Sequence, residues 1–113
     1  MLRVLALLLA LVSPALAQVP VYGPFFYNHQ TSTTSGVVLK SGPGTLHCLS
    51  LNTPVATGVV TLYDNTAASG TVIAVYTVAA SPQPSVTCFD VAFGIGLTIK
   101  VATAGQDLTV SYR

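Results

Sequence analysis

Short runs of strand-forming residues, separated by turn residues, dominate the chain after its first 35 residues. Apolar and polar side chains alternate in the clearest runs, and no helical stripe interrupts them. Glycine, proline, asparagine and serine cluster between the runs, as chain reversals require. The pattern predicts seven strands: Gly36–Lys40, Thr45–Asn52, Val59–Asp64, Thr71–Val78, Ser85–Phe93, Leu97–Val101 and Leu108–Tyr112.

This arrangement of strands restricts the fold class. Parallel strands need long crossover connections, usually helices, and the sequence offers none. Regularly punctuated short strands are instead typical of antiparallel sandwiches. We therefore expect an all-β fold: a single antiparallel β-sandwich, jelly-roll or Ig-like, of about seven to eight strands.

Alternation also assigns faces to the strands. Phe89, Val91 and Phe93 share one side of their strand, which predicts that this side is buried. Cys88 and Asp90 then lie on the outer side, as do the polar residues of the last two strands. In Thr45–Asn52, Leu49 and Leu51 are expected to be buried, which places Cys48 on the outer side with Ser50.

The two cysteines, Cys48 and Cys88, are predicted to form one disulfide, because an even cysteine count in an exported chain favours pairing. Free thiols and inter-chain bonds are the alternatives. With both residues on outer faces, the bond would tie neighbouring strands or a sheet edge. It would differ from the buried inter-sheet bridge of antibody domains, whose tryptophan partner is also missing here.

Export is inferred from residues 1–17. Arg3 is followed by an apolar run, then by Ser13-Pro14 and the small-x-small site Ala15-Leu16-Ala17, which together resemble a cleaved signal peptide. The run is short for a membrane span, and no cysteine follows the site to carry a lipid. We expect a secreted or periplasmic protein that begins at Gln18 and has no membrane span after cleavage; an uncleaved anchor is the alternative.

The 96 residues after the predicted signal are almost uncharged. They contain no glutamate, and three cations balance three aspartates: Lys40, Lys100 and Arg113 against Asp64, Asp90 and Asp107. This neutrality gives no electrostatic basis for binding nucleic acid or an anionic membrane. It also removes the charge repulsion that keeps proteins from self-associating.

Residues 18–35 form an aromatic N-terminal segment ahead of the predicted sandwich domain, residues 36–113. Four of its residues are candidates for an interface: Tyr22, Phe25, Phe26 and Tyr27. One interpretation is a strand or cover laid on the domain's own core. The other is an arm that docks on another subunit, since clustered exposed aromatics mark interaction surfaces.

Enzyme signatures are absent from the sequence. The three aspartates are dispersed, and His29 and His47 lack metal-ligand spacing with cysteine or aspartate. No glycine-rich loop precedes a helix to hold a phosphate. We therefore expect no catalytic residues, no bound metal and no cofactor.

Three segments resemble small phage- and prophage-associated β-sandwich structural proteins: Gly36–Asn52, Val60–Ile73 and Asp107–Tyr112. The resemblance covers most of residues 36–113 and implies a structural role on a virion or particle surface. It transfers no functional residues. The predicted signal and the cysteine pair depart from the pattern, because a phage capsid component assembles in the cytoplasm and needs neither.

These observations favour an exported non-enzymatic structural or assembly protein. Its partner would be a second copy of the chain or a particle surface, with no nucleic acid involved. The alternative is a carbohydrate-binding module of the cell envelope, with Tyr63, Tyr76 or Tyr112 stacking on sugar rings.

Overall fold

The computed structural model describes residues 24–113, which form eight β-strands. The predicted signal at residues 1–17 and the candidate interface residue Tyr22 lie outside this range. The strands are β1 Phe26–Gln30, β2 Thr34–Ser41, β3 Gly44–Thr53, β4 Val59–Asp64, β5 Thr71–Thr77, β6 Ser85–Phe93, β7 Gly96–Val101 and β8 Asp107–Tyr112. All seven predicted strands form, with ends displaced by at most two residues. The additional strand, β1, lies within the aromatic segment, so the sandwich begins at Phe26, ahead of residue 36.

The strands form two antiparallel sheets of four. The first sheet has the order β1-β8-β3-β6 and the second has the order β2-β7-β4-β5. Four of the antiparallel pairs are nested in the sequence: β1 with β8, β2 with β7, β3 with β6, and β4 with β5. The chain is therefore a long hairpin of strand pairs wrapped into a sandwich, which is the jelly-roll arrangement. Of the two predicted alternatives, this topology selects the jelly roll.

The core between the sheets is built from alternating residues of the central strands. Leu49 and Leu51 are buried as predicted, and Leu97, Ile99 and Val101 face them from the second sheet's β7. The faces of the strands are as predicted, but two residues differ in burial from the rest of their face. Val91 is 37% exposed because it lies on edge strand β6, beside an irregularity in the ladder. Thr98 is fully buried, since its hydroxyl donates to the carbonyl of Asn65 in the turn that covers it.

A single carboxylate holds the corner where the chain crosses from β6 to β7. Asp64 accepts hydrogen bonds from the backbone N–H groups of Gly94 (2.9 Å), Ile95 (2.8 Å) and Gly96 (3.3 Å). These backbone donors stabilise the ionised form and lower the pKa of Asp64. The corner therefore depends on Asp64 being charged.

Candidate functional site

Within the described part of the aromatic segment, β1 forms an edge of the first sheet. β1 pairs with β8 over five consecutive residues, from Phe26 opposite Tyr112 to Gln30 opposite Leu108. Although the backbone is part of the sandwich, the aromatic side chains stay accessible. Phe25, Phe26 and Tyr27 are 40%, 61% and 74% exposed. Three of the four candidate interface residues are thus grouped at one end of an edge strand.

Phe25 organises a stack of side chains beside this edge. Its ring lies parallel to the imidazole of His47, with centroids 4.1 Å apart and an interplanar angle of 12°. The guanidinium carbon of Arg113 lies 4.9 Å from the centroid of Phe25. The imidazole of His47 also contacts Asp90, whose carboxylate oxygen lies 2.5 Å from Nδ1 of the ring. The stack connects the start of β1 to β3, β6 and the end of β8.

A β-bulge places His47 in this stack. Between the pairs Leu46–Val91 and Cys48–Cys88, β3 advances two residues and β6 advances three. Phe89 and Asp90 together therefore oppose His47, and Asp90 takes a positive φ of 50°. Bulges of this kind redirect side chains at sheet edges.

An irregularity in the ladder with β8, where β3 advances two residues and β8 advances one, changes which residues of β3 share a face. Leu46 and Leu49 are both buried, so the two residues between them, His47 and Cys48, both lie on the outer side of β3. In a regular strand these neighbours would point to opposite faces.

The predicted disulfide lies beside His47. Cys48 and Cys88 are directly opposite each other on β3 and β6, with Cα atoms 4.0 Å apart, and are bonded. The bond joins neighbouring strands on the outer face of the first sheet, as the alternation of side chains predicted. Neither cysteine of the described chain is free.

Sequence spacing did not indicate the cluster that results. One ligand atom of His47 and the two sulfurs of Cys48 and Cys88 all lie within 4.8 Å of one another. The sequence showed no metal-ligand spacing around His47, because the cysteine that completes the group lies 40 positions beyond Cys48. In the oxidised protein the two sulfurs are bonded to each other and carry no thiolate.

A second polar cluster ties β1 to its neighbours further along the same face. His29 Nε2 donates to a carboxylate oxygen of Asp107 at 2.7 Å, and the side-chain amide of Asn52 donates to the same oxygen at 2.9 Å. The amide of Asn52 also donates to the hydroxyl of Thr109 at 3.1 Å. The hydrogen bonds from Asn52 and His29 lower the pKa of Asp107. His29 and Asp107 are 78 positions apart, so no local motif indicated this contact.

The tyrosines considered for sugar stacking do not share a face. Tyr76 and Tyr112 pack against the hydrophobic core, while Tyr63 is half-buried on the outer side of the second sheet. Among residues 24–113, the exposed tyrosine is Tyr27, on the first sheet. Residues 24–113 enclose no pocket, and none of their elements is a helix that could cross a membrane.

No protein family, curated protein or solved structure was found to match this chain.

Proposed function

We propose that this chain is an exported, non-enzymatic structural protein that self-associates or decorates a larger particle through edge strand β1. The observation that carries the proposal is the exposure of Phe25, Phe26 and Tyr27 at the start of that strand. Exposed, grouped aromatic side chains are enriched where proteins bind one another. The phage-like character of residues 36–113 belongs to the same proposal.

The regularity of β1 supports docking at this edge. Natural sheet proteins protect their edges with charges, bulges or proline, because unpaired N–H and C=O groups attract further strands. β1 contains no aspartate, glutamate, lysine or arginine, and its ladder with β8 has no register shift. β1 therefore lacks charged residues, proline and a bulge as protection against strand addition.

The other three edge strands of the described sandwich differ from β1. β2 has two register shifts and carries Lys40, and β6 has a bulge and carries Asp90. β5 is uncharged but contains one shift, opposite Leu62 and Tyr63. Irregular strands pair poorly with a new strand, so the contrast favours β1 as the docking edge.

Carbohydrate binding remains the second candidate, with one observation in its favour. Tyr27 is 74% exposed on the outer face of a sheet whose neighbouring side chains are polar, including His29 and Thr109. An exposed ring beside hydrogen-bonding groups suits a sugar. A single tyrosine offers a smaller stacking platform than a coplanar set, so we place this function second.

A pair of matched substitutions tests the proposal. Tyr27→Lys puts a charge on β1, and Val86→Lys puts one on β6, at a residue 65% exposed on the same face but at the opposite edge. Sedimentation velocity of the exported protein should show concentration-dependent association for the natural chain and for Val86→Lys, and monomers for Tyr27→Lys.

Three outcomes would contradict the proposal. The natural chain could remain monomeric and fail to bind any particle fraction, or both variants could lose association equally. Binding to insoluble polysaccharide that Tyr27→Lys abolishes, in a protein that is monomeric throughout, would instead support the carbohydrate-binding alternative.

A further inference from the structure

We propose that reduction of the Cys48–Cys88 disulfide converts the outer face of β3 and β6 into a site for a thiophilic cation such as Zn²⁺. Its protein ligands are His47, Cys48 and Cys88. The inference rests on the juxtaposition of one imidazole and two sulfurs at a bulge of the first sheet. It is independent of the proposed assembly function.

The positions of the three residues allow a tetrahedral zinc ion once the two sulfurs are no longer bonded to each other. Zinc binds sulfur at about 2.3 Å and imidazole nitrogen at about 2.0–2.1 Å, so tetrahedral ligand atoms lie roughly 3.5–3.8 Å apart. The three candidate atoms already lie within 4.8 Å of one another. Once the covalent bond is cut, rotation of the cysteine side chains separates the sulfurs while the strand backbones stay in place. The fourth position is left for water, because Cys88 is exposed.

The imidazole is already oriented for such a role. Nδ1 of His47 lies 2.5 Å from a carboxylate oxygen of Asp90, which leaves Nε2 as the ring nitrogen that can bind a metal ion. Stacking on Phe25 restrains the plane of the ring. Metal-binding histidines commonly donate their second ring nitrogen to a carboxylate in this manner.

Reduction of the disulfide consumes two electrons and two protons, which break the sulfur–sulfur bond and give two thiols. A tertiary phosphine supplies the electrons as it becomes its oxide with oxygen from water. Zinc then binds the two thiolates, and their two protons are released to solvent. Under oxidising conditions a covalent bond joins β3 to β6; under reducing conditions a metal ion joins the same strands.

Cobalt titration provides the test. The protein is reduced with tris(2-carboxyethyl)phosphine, freed of reagent under anaerobic conditions and titrated with Co²⁺, whose thiolate bands report binding; Zn²⁺ should displace it. We expect one equivalent bound by the reduced chain and none by the oxidised chain. His47→Ala should weaken binding by about tenfold or more, since it removes a ligand. His29→Ala is the matched control, because His29 is also paired to an aspartate but lies outside the cluster.

Two results would overturn the site. One is equal affinity in His47→Ala and the natural chain, and the other is reduced protein that binds no more tightly than a Cys48→Ser/Cys88→Ser variant. Far-UV circular dichroism is recorded in parallel. If the reduced chain unfolds without metal, zinc should restore the β-sheet signal in the natural chain and in His29→Ala, but not in His47→Ala.

Discussion

Loss of the Cys48–Cys88 bond should remove a large part of the free energy of unfolding. The bond closes a loop with a sequence separation of 40. In the chain-entropy model, cross-linking such a loop restricts the unfolded chain by about 4 kcal/mol at 25 °C. The 96 residues after the predicted signal should have a total stability of roughly 5–14 kcal/mol. Reduction should therefore remove between a third and most of that stability.

The effect should be visible in urea unfolding. With an m-value of about 1–1.5 kcal/mol/M for a chain of this size, a loss of about 4 kcal/mol moves the midpoint down by roughly 3 M. Unfolding is measured on oxidised and reduced protein, both in the presence of a chelator so that no metal replaces the bond. A Cys48→Ala/Cys88→Ala variant should match the reduced protein, because both lack the same cross-link.

Comparing the oxidised protein, the reduced protein and the double-alanine variant separates the entropic effect of the cross-link from the effect of side-chain packing. Both cysteines lie on the outer face, Cys88 exposed and Cys48 partly buried, so we expect the lost cross-link to outweigh the lost contacts of the sulfurs. Midpoints that differ by less than about 0.5 M between oxidised and reduced protein would refute the entropic reasoning. So would a variant that is destabilised while the reduced natural chain is not.

Two further predictions concern the turns. The pKa of Asp64 is lowered in the folded protein by backbone hydrogen bonds, so its contribution to stability is complete above the unfolded-state pKa and is lost as pH falls through the lower, folded-state value. The urea concentration at the unfolding midpoint should therefore decrease as the pH is lowered below about 4, and it should decrease less steeply in Asp64→Asn. Equal pH dependence of the midpoint in the two proteins would contradict the role of the carboxylate. Thr57 has a φ of 58° in the turn closed by the hydrogen bond from Gly58 N–H to the carbonyl of Val55. Thr57→Asn should raise the melting temperature by roughly 4 °C, about 1 kcal/mol, because asparagine tolerates this conformation better than a β-branched residue does; a calorimetric scan showing no rise would contradict the strain.

Strand positions in this protein follow from local chemistry. The alternation of Leu108 and Val110 with Thr109 and Ser111 places strand β8 within one residue of its predicted start, because side-chain direction has a period of two whatever the strand pairs with. The outer-face position of Cys48 was predictable for the same reason, as was its bond to Cys88 from the cysteine count and the predicted export.

Tertiary structure alone determined which strands pair. Only the folded chain brings β1 beside β8, and with it His29 to Asp107, because strand pairing in a jelly roll joins residues from opposite ends of the sequence. The burial of Thr98 likewise depends on a turn from another strand pair. The grouping of His47 with Cys48 and Cys88 needs the β3–β6 ladder and the extra residue that β3 has against β8, which breaks the regular alternation of side chains along β3. The two-residue period of side-chain direction predicts faces within one strand. Sites form where several strands meet, and which strands meet depends on the free energy of packing the whole sandwich.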